Sequence, residues 1–360
     1  MDKILHNLGF DSFFESHCCE FAIELDSIAR VIAEHKGIYY IKNSKGEFLA
    51  RVTGKQMFTA VSREDYPAVG DWVEIEMADS DQAIIRRILP RKTVIRKTVA
   101  SRKSADKMKN QIIAANVDIA FIVESVDRDY SLNRFERYFA LALDGNVRPS
   151  IILNKVDLIT KNDLDDKIAE ISERFKNCLV VPTSTKTLEG LNCLRDSLES
   201  GKTYCFLGSS GVGKSSMVNA LIGKKVIKTG AIGSGTERGK HVTTHREMYF
   251  LSGGGIVIDN PGMREVGLAN SEVGVKATFG EIEDFAPQCK FRDCTHVHES
   301  GCAVREAVES GMLDEDRYEN YIRLKKESEH YEMTDYEIRG KEKKFGKYVK
   351  KSLKRMKEFE

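Results

Sequence analysis

Short segments in which apolar and polar residues alternate occupy most of the chain between residues 30 and 88. Five of them are VIAEH, GIYYIKN, GEFLARV, DWVEIEM and AIIRRIL, and turns rich in Gly, Asn, Ser or Asp separate them. This pattern predicts β-strands. Five short strands are typical of a small closed barrel of the OB-fold type, which often binds RNA or DNA. A structural barrel without a ligand is the alternative, because no strand residue is diagnostic.

From residue 112 the pattern changes to apolar strands that alternate with helices of about ten residues. The predicted strands are IAFIVE, SIIL, CLVV and YCFLG, and the predicted helices are RFERYFALAL, DDKIAEISERF, LNCLRDSLES and KSSMVNALI. This alternation predicts a mostly parallel, doubly wound α/β sheet, which the later strands EMYFL and GIVID extend. Beyond residue 272 the pattern is helical and contains a Cys/His cluster at 289–302.

The net charge says little by itself, because 56 Lys+Arg balance 55 Asp+Glu in 360 residues. The distribution says more. Residues 86–109 hold ten Lys/Arg and one Asp, and residues 341–360 hold nine Lys/Arg and three Glu. Both segments are candidates for contact with RNA phosphates, although charge runs are often only solvated surface.

The chain shows no sign of a membrane or secreted protein. No apolar run approaches the length of about 18 residues that spans a bilayer, and the first residues do not resemble a signal peptide. Eight Cys are too few for a disulfide scaffold. We expect a soluble, cytoplasmic monomer with reduced thiols and no membrane partner.

A phosphate-binding loop is predicted at residues 208–215, where GSSGVGKS follows an apolar strand and precedes a helix. The backbone N–H groups of such a loop surround the β-phosphate. Lys214 can reach the β- and γ-phosphates, and the Ser215 hydroxyl can bind Mg²⁺. The strand and helix on either side argue against a Gly-rich turn without phosphate.

The motif NKVD at residues 154–157 indicates guanine as the base. The Asp157 carboxylate can accept hydrogen bonds from guanine N1–H and the exocyclic amine, whereas adenine offers neither donor. Lys155 can lie along the base, and Asn154 can connect this loop to the phosphate loop. Residues 184–186, after CLVV, fit either a third loop beside the base or a simple polar turn.

Two further segments concern the γ-phosphate and the metal. Residues 259–262, DNPG, fit the D-x-x-G pattern, in which the Asp supports Mg²⁺ and the Gly N–H senses the γ-phosphate. In the preceding segment GSGTERGKHVTTH, we expect Thr243 rather than Thr244 to close over the metal. The candidate Mg²⁺ ligands are therefore Ser215, Thr243 and Asp259.

The candidate GTP-binding residues come from all of these loops. They are Asn154, Lys155, Val156, Asp157, Ser184, Thr185, Lys186, Gly208, Ser209, Ser210, Gly211, Val212, Gly213, Lys214, Ser215, Ser216 and Gly262. The base-side loops precede the phosphate loop, which reverses the order of an ordinary GTPase. From this order we infer a circularly permuted domain. The same sheet can form, because packing depends on which elements touch rather than on where the chain is opened.

A metal site is predicted near the C-terminal end of the motif series. Cys289, Cys294, His296 and Cys302 supply three thiolates and one imidazole, a complete tetrahedral set for structural Zn²⁺. The nearby His298 is left out, because Cys302 already closes the set. Free structural thiols are the alternative.

Together these features resemble the circularly permuted ribosome small-subunit-dependent GTPase A family (RsgA, also called YjeQ). The resemblance covers about residues 29–330 and rests on the barrel, NKVD, GSSGVGKS, RGKHVTT, DNPG and the Cys/His site. It implies Mg²⁺-dependent GTP hydrolysis that the small ribosomal subunit stimulates, and a role in late maturation of that subunit.

The resemblance also points to a residue for hydrolysis. Met263 stands where many GTPases place a water-orienting Gln, and a thioether cannot orient water. The family implies His241 instead, acting with Lys214, and His245 is the weaker alternative. Lys214 and Mg²⁺ alone could still support slow turnover.

We therefore predict a multidomain fold with an N-terminal OB-fold β-barrel, a central circularly permuted P-loop α/β GTPase domain and a C-terminal α-helical zinc-binding module. The expected boundaries are 1–28 for an N-terminal extension, 29–100, 101–272 and 273–335 for the three domains, and 336–360 for a basic tail. The expected partners are GTP/GDP and the small subunit with its rRNA. A nucleotide-switched RNA-binding scaffold with little turnover is the alternative, and the pairing of NKVD with DNPG disfavours a kinase.

Overall fold

The computed structural model describes residues 3–99, 109–127, 130–176, 178–224, 226–227, 246–259, 267–268 and 271–332. The chain divides into two compact units, one within residues 1–97 and 110–266 and the other within 98–109 and 267–360. No helix of the described residues combines the length and the hydropathy that crossing a membrane requires.

The first unit begins with two short helices followed by a β-barrel. The helices are α1 (Lys3–Asn7) and α2 (Ser12–Glu20), and the barrel contains β1 (Ile28–His35), β2 (Ile38–Asn43), β3 (Gly46–Val52), α3 (Gly54–Thr59), β4 (Trp72–Met77) and β5 (Gln82–Ile88). The strands pair in the order β1-β2-β3-β5-β4, and β4 pairs back with β1. β3 and β5 are parallel. The predicted OB-like barrel of five strands is confirmed.

Two apolar clusters fill this region. Alternate barrel residues such as Val31, Ile41 and Ile85 point inward and are buried. The N-terminal helices contribute a second cluster, in which Phe10 packs edge-on against Trp72 with ring centroids 5.0 Å apart. Residues 1–28 were expected only as an extension, and the helices α1 and α2 within them are a finding of the structure.

A short two-stranded sheet follows the barrel. It consists of β6 (Val94–Val99) and β7 (Lys109–Ala115), which pair with each other. The sequence pattern did not predict these strands, because VIRKTV mixes charged and apolar residues within a basic run.

The remainder of the first unit is a sheet covered by helices. In chain order the elements are β8 (Ile119–Ser125), α4 (Leu132–Asp144), β9 (Arg148–Asn154), α5 (Lys161–Arg174), β10 (Val180–Thr183), α6 (Leu191–Asp196), β11 (Thr203–Leu207), α7 (Lys214–Ile222), β12 (Glu247–Phe250) and β13 (Ile256–Asp259). The strand order is β10-β9-β8-β11-β13-β12, and only the pairing of β12 with β13 is antiparallel among them. The predicted doubly wound sheet is confirmed, although β10 begins two residues later than CLVV.

One arginine joins three segments of the first unit. The Arg30 guanidinium is 1% exposed and donates to the carbonyls of Leu8, Gly70 and Asn116, the last two at 3.2 and 3.1 Å. Burial lowers the pKa of Arg30 to about 10, so the group remains charged at neutral pH. These bonds connect the N-terminal segment, the barrel and the turn after β7.

The second unit is helical, as the sequence predicted. Its helices are α8 (Glu272–Thr278), α9 (Gly280–Phe285), α10 (Ala303–Glu309) and α11 (Glu315–Glu332). Its core includes Phe279 and Tyr321, whose ring centroids are 5.5 Å apart. The five segment boundaries predicted from the sequence stay predictions.

We expect Arg30→Met to destabilise the first unit strongly. The substitution removes the donor to three buried carbonyls, and one unsatisfied buried polar group costs about 1–3 kcal/mol. The free energy of unfolding should fall by about 3 kcal/mol or more in denaturant titrations. Arg86→Met is the control, because Arg86 is 46% exposed in its pair with Glu76, and such pairs contribute about 1 kcal/mol at most. Equal losses in the two variants would contradict a special role for Arg30.

Candidate functional site

The phosphate-type loop lies between β11 and α7, at the carboxyl end of a parallel strand. Gly208 and Gly213 adopt φ values of 143° and 103°, which favour glycine. A Cβ on Gly208 would lie 2.2 Å from the Val123 carbonyl oxygen, and one on Gly213 would lie 2.3 Å from Asn154 Nδ2. Larger residues at these two positions would displace β8 or the NKVD loop from the phosphate loop.

Lys214 is the first residue of α7 and lies under the loop. Its Nζ donates to the carbonyls of Gly208 at 2.7 Å and Ser209 at 2.6 Å, and the residue is 8% exposed. Burial lowers the pKa of Lys214 to about 8, while the carboxylates of Asp259 and Glu124 act in the opposite direction. The loop therefore surrounds a buried amine that can donate to a phosphate.

Asp259 ends β13, the strand next to β11. Its Oδ1 atom is buried and has no hydrogen-bond partner among the described residues. Burial raises the pKa of Asp259 to about 6, and Lys214 opposes that rise. A buried carboxylate oxygen without a partner suits a hard cation such as Mg²⁺, which prefers oxygen ligands. Ser215, the second candidate ligand, is half-buried in the first turn of α7.

The NKVD loop contacts the phosphate loop directly. The Asn154 side chain is fully buried, and its Nδ2 donates to the Val212 carbonyl at 2.7 Å. Its Oδ1 accepts a hydrogen bond from Thr183 Oγ1 at 3.2 Å. Lys155 adopts a left-handed conformation with φ 63°, and its Nζ lies 2.6 Å from Asp127 Oδ2.

The loop after β10 holds the Asp157 carboxylate. Ser184 Oγ donates to Asp157 Oδ1 at 2.6 Å and accepts from the backbone N–H groups of Lys186 and Thr187. Lys186 Nζ lies 3.7 Å from Asp157 Oδ2 and is largely exposed. The structure thus brings the loop at residues 184–186 to Asp157, with Oδ2 available for further donors.

Several predicted residues lie outside the described part of the chain. They are His241, its alternative His245, Thr243, Gly262 and Met263, together with the basic tail at 336–360. Conversely, the sequence motifs missed Asp127, Glu124 and Arg134, which lie next to the loops. The sequence could have indicated Glu124 and Asp127, because both are acids at or just after the carboxyl end of an apolar strand.

The four predicted metal ligands form a cluster in the second unit. The ligand atoms of Cys289, Cys294, His296 and Cys302 all lie within 4.8 Å of one another. His296 Nδ1 is 3.6 and 3.5 Å from the sulfurs of Cys289 and Cys302, which are 3.9 Å apart. Zn–S and Zn–N bonds of about 2.3 and 2.0 Å imply tetrahedral edges of about 3.8 and 3.5 Å. The arrangement therefore fits a tetrahedral metal ion, and His298 is not a member of the cluster.

Other contacts hold the ligand loop in shape. Glu299 accepts hydrogen bonds from the backbone of Thr295, Val297 and His298, and from the Thr295 hydroxyl at 2.6 Å. These bonds hold the pKa of Glu299 well below its usual range. Burial lowers the pKa of His296, so its ring is neutral and can act as a ligand at neutral pH.

The basic stretch at 86–109 is largely engaged with acids where the structure describes its side chains. The ion pairs are Arg86–Glu76, Arg87–Glu74, Arg91–Asp71, Lys92–Asp11 and Arg96–Glu64. These residues neutralise carboxylates of the barrel region and the carboxylate of Asp11 before α2, so contact between this stretch and RNA stays a prediction.

The arrangement of these loops on one sheet, with the base-side loops earlier in the chain than the phosphate loop, defines a circularly permuted GTPase. A solved structure of YjeQ from Thermotoga maritima matches with a TM-score of 0.61 and 30% identity, over 83% of this chain and 96% of that one. A second solved structure, of YloQ, a circularly permuted GTPase, matches with a TM-score of 0.59 and 25% identity, over 82% of this chain and 93% of that one.

The RsgA GTPase family model matches residues 88–269. The small ribosomal subunit biogenesis GTPase RsgA 1 of Bacteroides thetaiotaomicron is 40% identical over 334 residues, which are 92% of each chain. The RsgA 2 protein of Lactiplantibacillus plantarum is 39% identical over 300 residues, 83% of each. The chain belongs to the RsgA GTPase family.

We expect Asp157→Asn to change the base preference of the chain from guanine to xanthine. An amide at this position can donate to the C2 carbonyl of xanthine, and it loses the carboxylate that accepts from guanine. A good bidentate base contact contributes about 1–3 kcal/mol, so GTP affinity should fall about tenfold or more while xanthosine triphosphate affinity rises. Competition against a fluorescent nucleotide measures both. Unchanged GTP affinity would exclude Asp157 from the base pocket.

Proposed function

We propose that the chain hydrolyses GTP to GDP and phosphate during late maturation of the small ribosomal subunit, and that the subunit stimulates this hydrolysis. The observation that carries the GTP site is the hydrogen bond from Asn154 to Val212, which joins the base-side loop to the phosphate loop. The names of the relatives, which are small ribosomal subunit biogenesis GTPases, support the choice of partner.

In the proposed binding mode, guanine N1–H and the exocyclic amine donate to the Asp157 carboxylate, whose Oδ1 also accepts from Ser184 Oγ. Lys155 lies beside the base, fixed by Asp127. The phosphates replace the loop carbonyls as acceptors for Lys214 Nζ, and the N-terminus of α7 adds its N–H groups. The other proposed contacts are the candidate residues of the loops named above, including Ser216 in α7 and Gly262.

Asp259, Ser215 and Thr243 would hold Mg²⁺. When bound, Mg²⁺ would supply positive charge that offsets the negative charge of the GTP phosphates. The chain would contribute a negatively charged ligand, because Asp259, with a pKa of about 6, is charged at neutral pH.

For the hydrolytic step we propose His241 as the group that reaches the γ-phosphate region. Met263 cannot orient water, so turnover of the isolated chain should be slow. Contact with the small subunit would bring His241 to the γ-phosphate and so raise the rate.

The four ligands of the second unit would hold one structural Zn²⁺. Three thiolates and one imidazole leave no open coordination position, so the ion would stabilise the fold rather than catalyse a reaction. We further propose that rRNA contacts the basic tail, and that the chain acts as a cytoplasmic monomer.

We expect purified small subunits to accelerate GTP hydrolysis, and His241→Ala to lose most of the stimulated rate. A group that acts only in the transition state lowers turnover without lowering ground-state affinity, so GTP binding should persist. Lys214→Ala should reduce both the hydrolysis rate and the affinity for GTP, because it removes the buried amine under the phosphate loop. Single-turnover hydrolysis with saturating small subunits, large subunits or neither makes the comparison.

Each arm of that experiment can contradict the proposal. Stimulation by large subunits alone would overturn the partner, and an unchanged stimulated rate in His241→Ala would overturn its role. Binding to subunits without any turnover would favour the RNA-binding scaffold.

We expect about one Zn²⁺ per chain in protein purified without chelator. Cys302→Ser should lose the metal and lower the melting temperature of the second unit, because a structural ion contributes folding energy. Cys193→Ser is the control, since this exposed cysteine lies outside the cluster. Elemental analysis that finds no zinc in the wild-type chain would contradict the assignment.

A further inference from the structure

A pair of charged residues lies beside the phosphate loop and belongs to none of the sequence motifs. Glu124, in the carboxyl-terminal part of β8, is fully buried. Arg134, in the first turn of α4, places Nη1 3.5 Å from Glu124 Oε2. The same Nη1 donates to Ser209 Oγ at 3.2 Å. The guanidinium therefore joins a buried carboxylate to the second residue of the loop.

The second residue of the loop is held from two sides. The Ser209 carbonyl accepts a hydrogen bond from Lys214 Nζ, and its hydroxyl accepts one from Arg134. Tyr138, one turn further along α4, is another side-chain hydrogen-bonding partner of Ser209. Both α4 residues lie on one face of the helix, because they are four positions apart. One helix face thus supports the turn that covers Lys214.

Strand β8 supports the loop through its backbone as well. Leu207, the last residue of β11, lies opposite Ile122 in the parallel ladder. The next residue, Gly208, approaches the Val123 carbonyl so closely that no side chain fits there. A shift of Arg134 or of the end of β8 would therefore move the start of the phosphate loop.

Glu124 also contributes to the charge balance under the loop. Together with Asp259 it favours the protonated form of Lys214, against the effect of burial. Two buried acids thus lie near Lys214, and Arg134 pairs with one of them. The ion pair with Arg134 offsets part of the cost of burying Glu124, and the hydrogen bond from Arg134 to Ser209 holds the guanidinium in place.

We propose that Arg134, held by Glu124, is a positioning residue that fixes Ser209 and so prepares the phosphate loop to receive the nucleotide before it arrives. This inference rests on the proposed GTP site and adds residues from outside its motifs. Preorganisation lowers the ordering cost of binding. Because Arg134 acts through the loop rather than on the γ-phosphate, its loss affects GDP and GTP alike.

The test measures the affinities of the full chain for mant-GDP and mant-GTP with Mg²⁺, together with turnover at saturating GTP. Arg134→Gln should weaken both nucleotides about fivefold to tenfold and change turnover less than about twofold. In a Ser209→Ala background the same substitution should cause less than about a twofold further loss, because the contact through which it acts is gone.

Arg174→Gln is the matched control. Arg174 pairs at 2.8 Å with Glu136, another fully buried carboxylate, which lies on the same helix α4. Both substitutions leave a buried acid without its arginine, so both should lower the melting temperature. Only Arg134→Gln should weaken nucleotide binding. The variant Glu124→Gln/Arg134→Gln removes both charges and should keep the binding defect if stability recovers.

Several outcomes would overturn the inference. Equal binding defects in Arg134→Gln and Arg174→Gln would mean that only general stability is involved. A defect for mant-GTP alone with a fall in turnover would mean that Arg134 acts on the γ-phosphate itself. Unchanged affinity in Arg134→Gln, with wild-type binding intact, would contradict this inference and leave the proposed function standing. A wild-type chain that binds neither nucleotide would contradict both.

Discussion

The proposed nucleotide site depends on a buried hydrogen bond between two loops 58 positions apart, from Asn154 Nδ2 to the Val212 carbonyl. A buried amide without a hydrogen-bond partner would cost about 1–3 kcal/mol, so this bond holds the two loops in a fixed relative position. Asn154 ends β9 and Val212 follows β11, and β8 lies between these strands in the sheet. The bond requires that spatial arrangement, and it does not depend on which of the two loops comes first in the sequence. This is the physical reason a permuted order can preserve the site.

Buried charge sets the second constraint. Lys214 and Arg134 are cations near the acids Asp259 and Glu124, and the acids come from strands on opposite sides of β11. A buried charge is tolerated when it is paired and hydrogen-bonded. The loop carbonyls of Gly208 and Ser209 accept from the Lys214 amine, and the Ser209 hydroxyl accepts from Arg134.

The ligand cluster of the second unit shows a related principle on a smaller scale. Glu299 binds the backbone around His296, and Tyr318 donates to the His296 carbonyl at 2.6 Å. These bonds hold His296 in its left-handed conformation with φ 64°. The spacing of the thiols and the imidazole therefore follows partly from carboxylate and hydroxyl contacts, and a metal ion would add to a loop that is already shaped.

The sequence by itself determined the barrel, the doubly wound sheet, the permuted order of the motifs and the four-residue ligand cluster, because these follow from local periodicity and short spacing. Only the tertiary structure decided which distant side chains meet. The bonds from Arg30 to three carbonyls, and the support of Ser209 by Glu124 and Arg134, depend on partners far away along the chain. The pairing of β6 with β7 is local, but the basic run hides their strand pattern. A pattern of neighbouring residues carries no information about those partners, since hydrogen bonds and ion pairs are made in space.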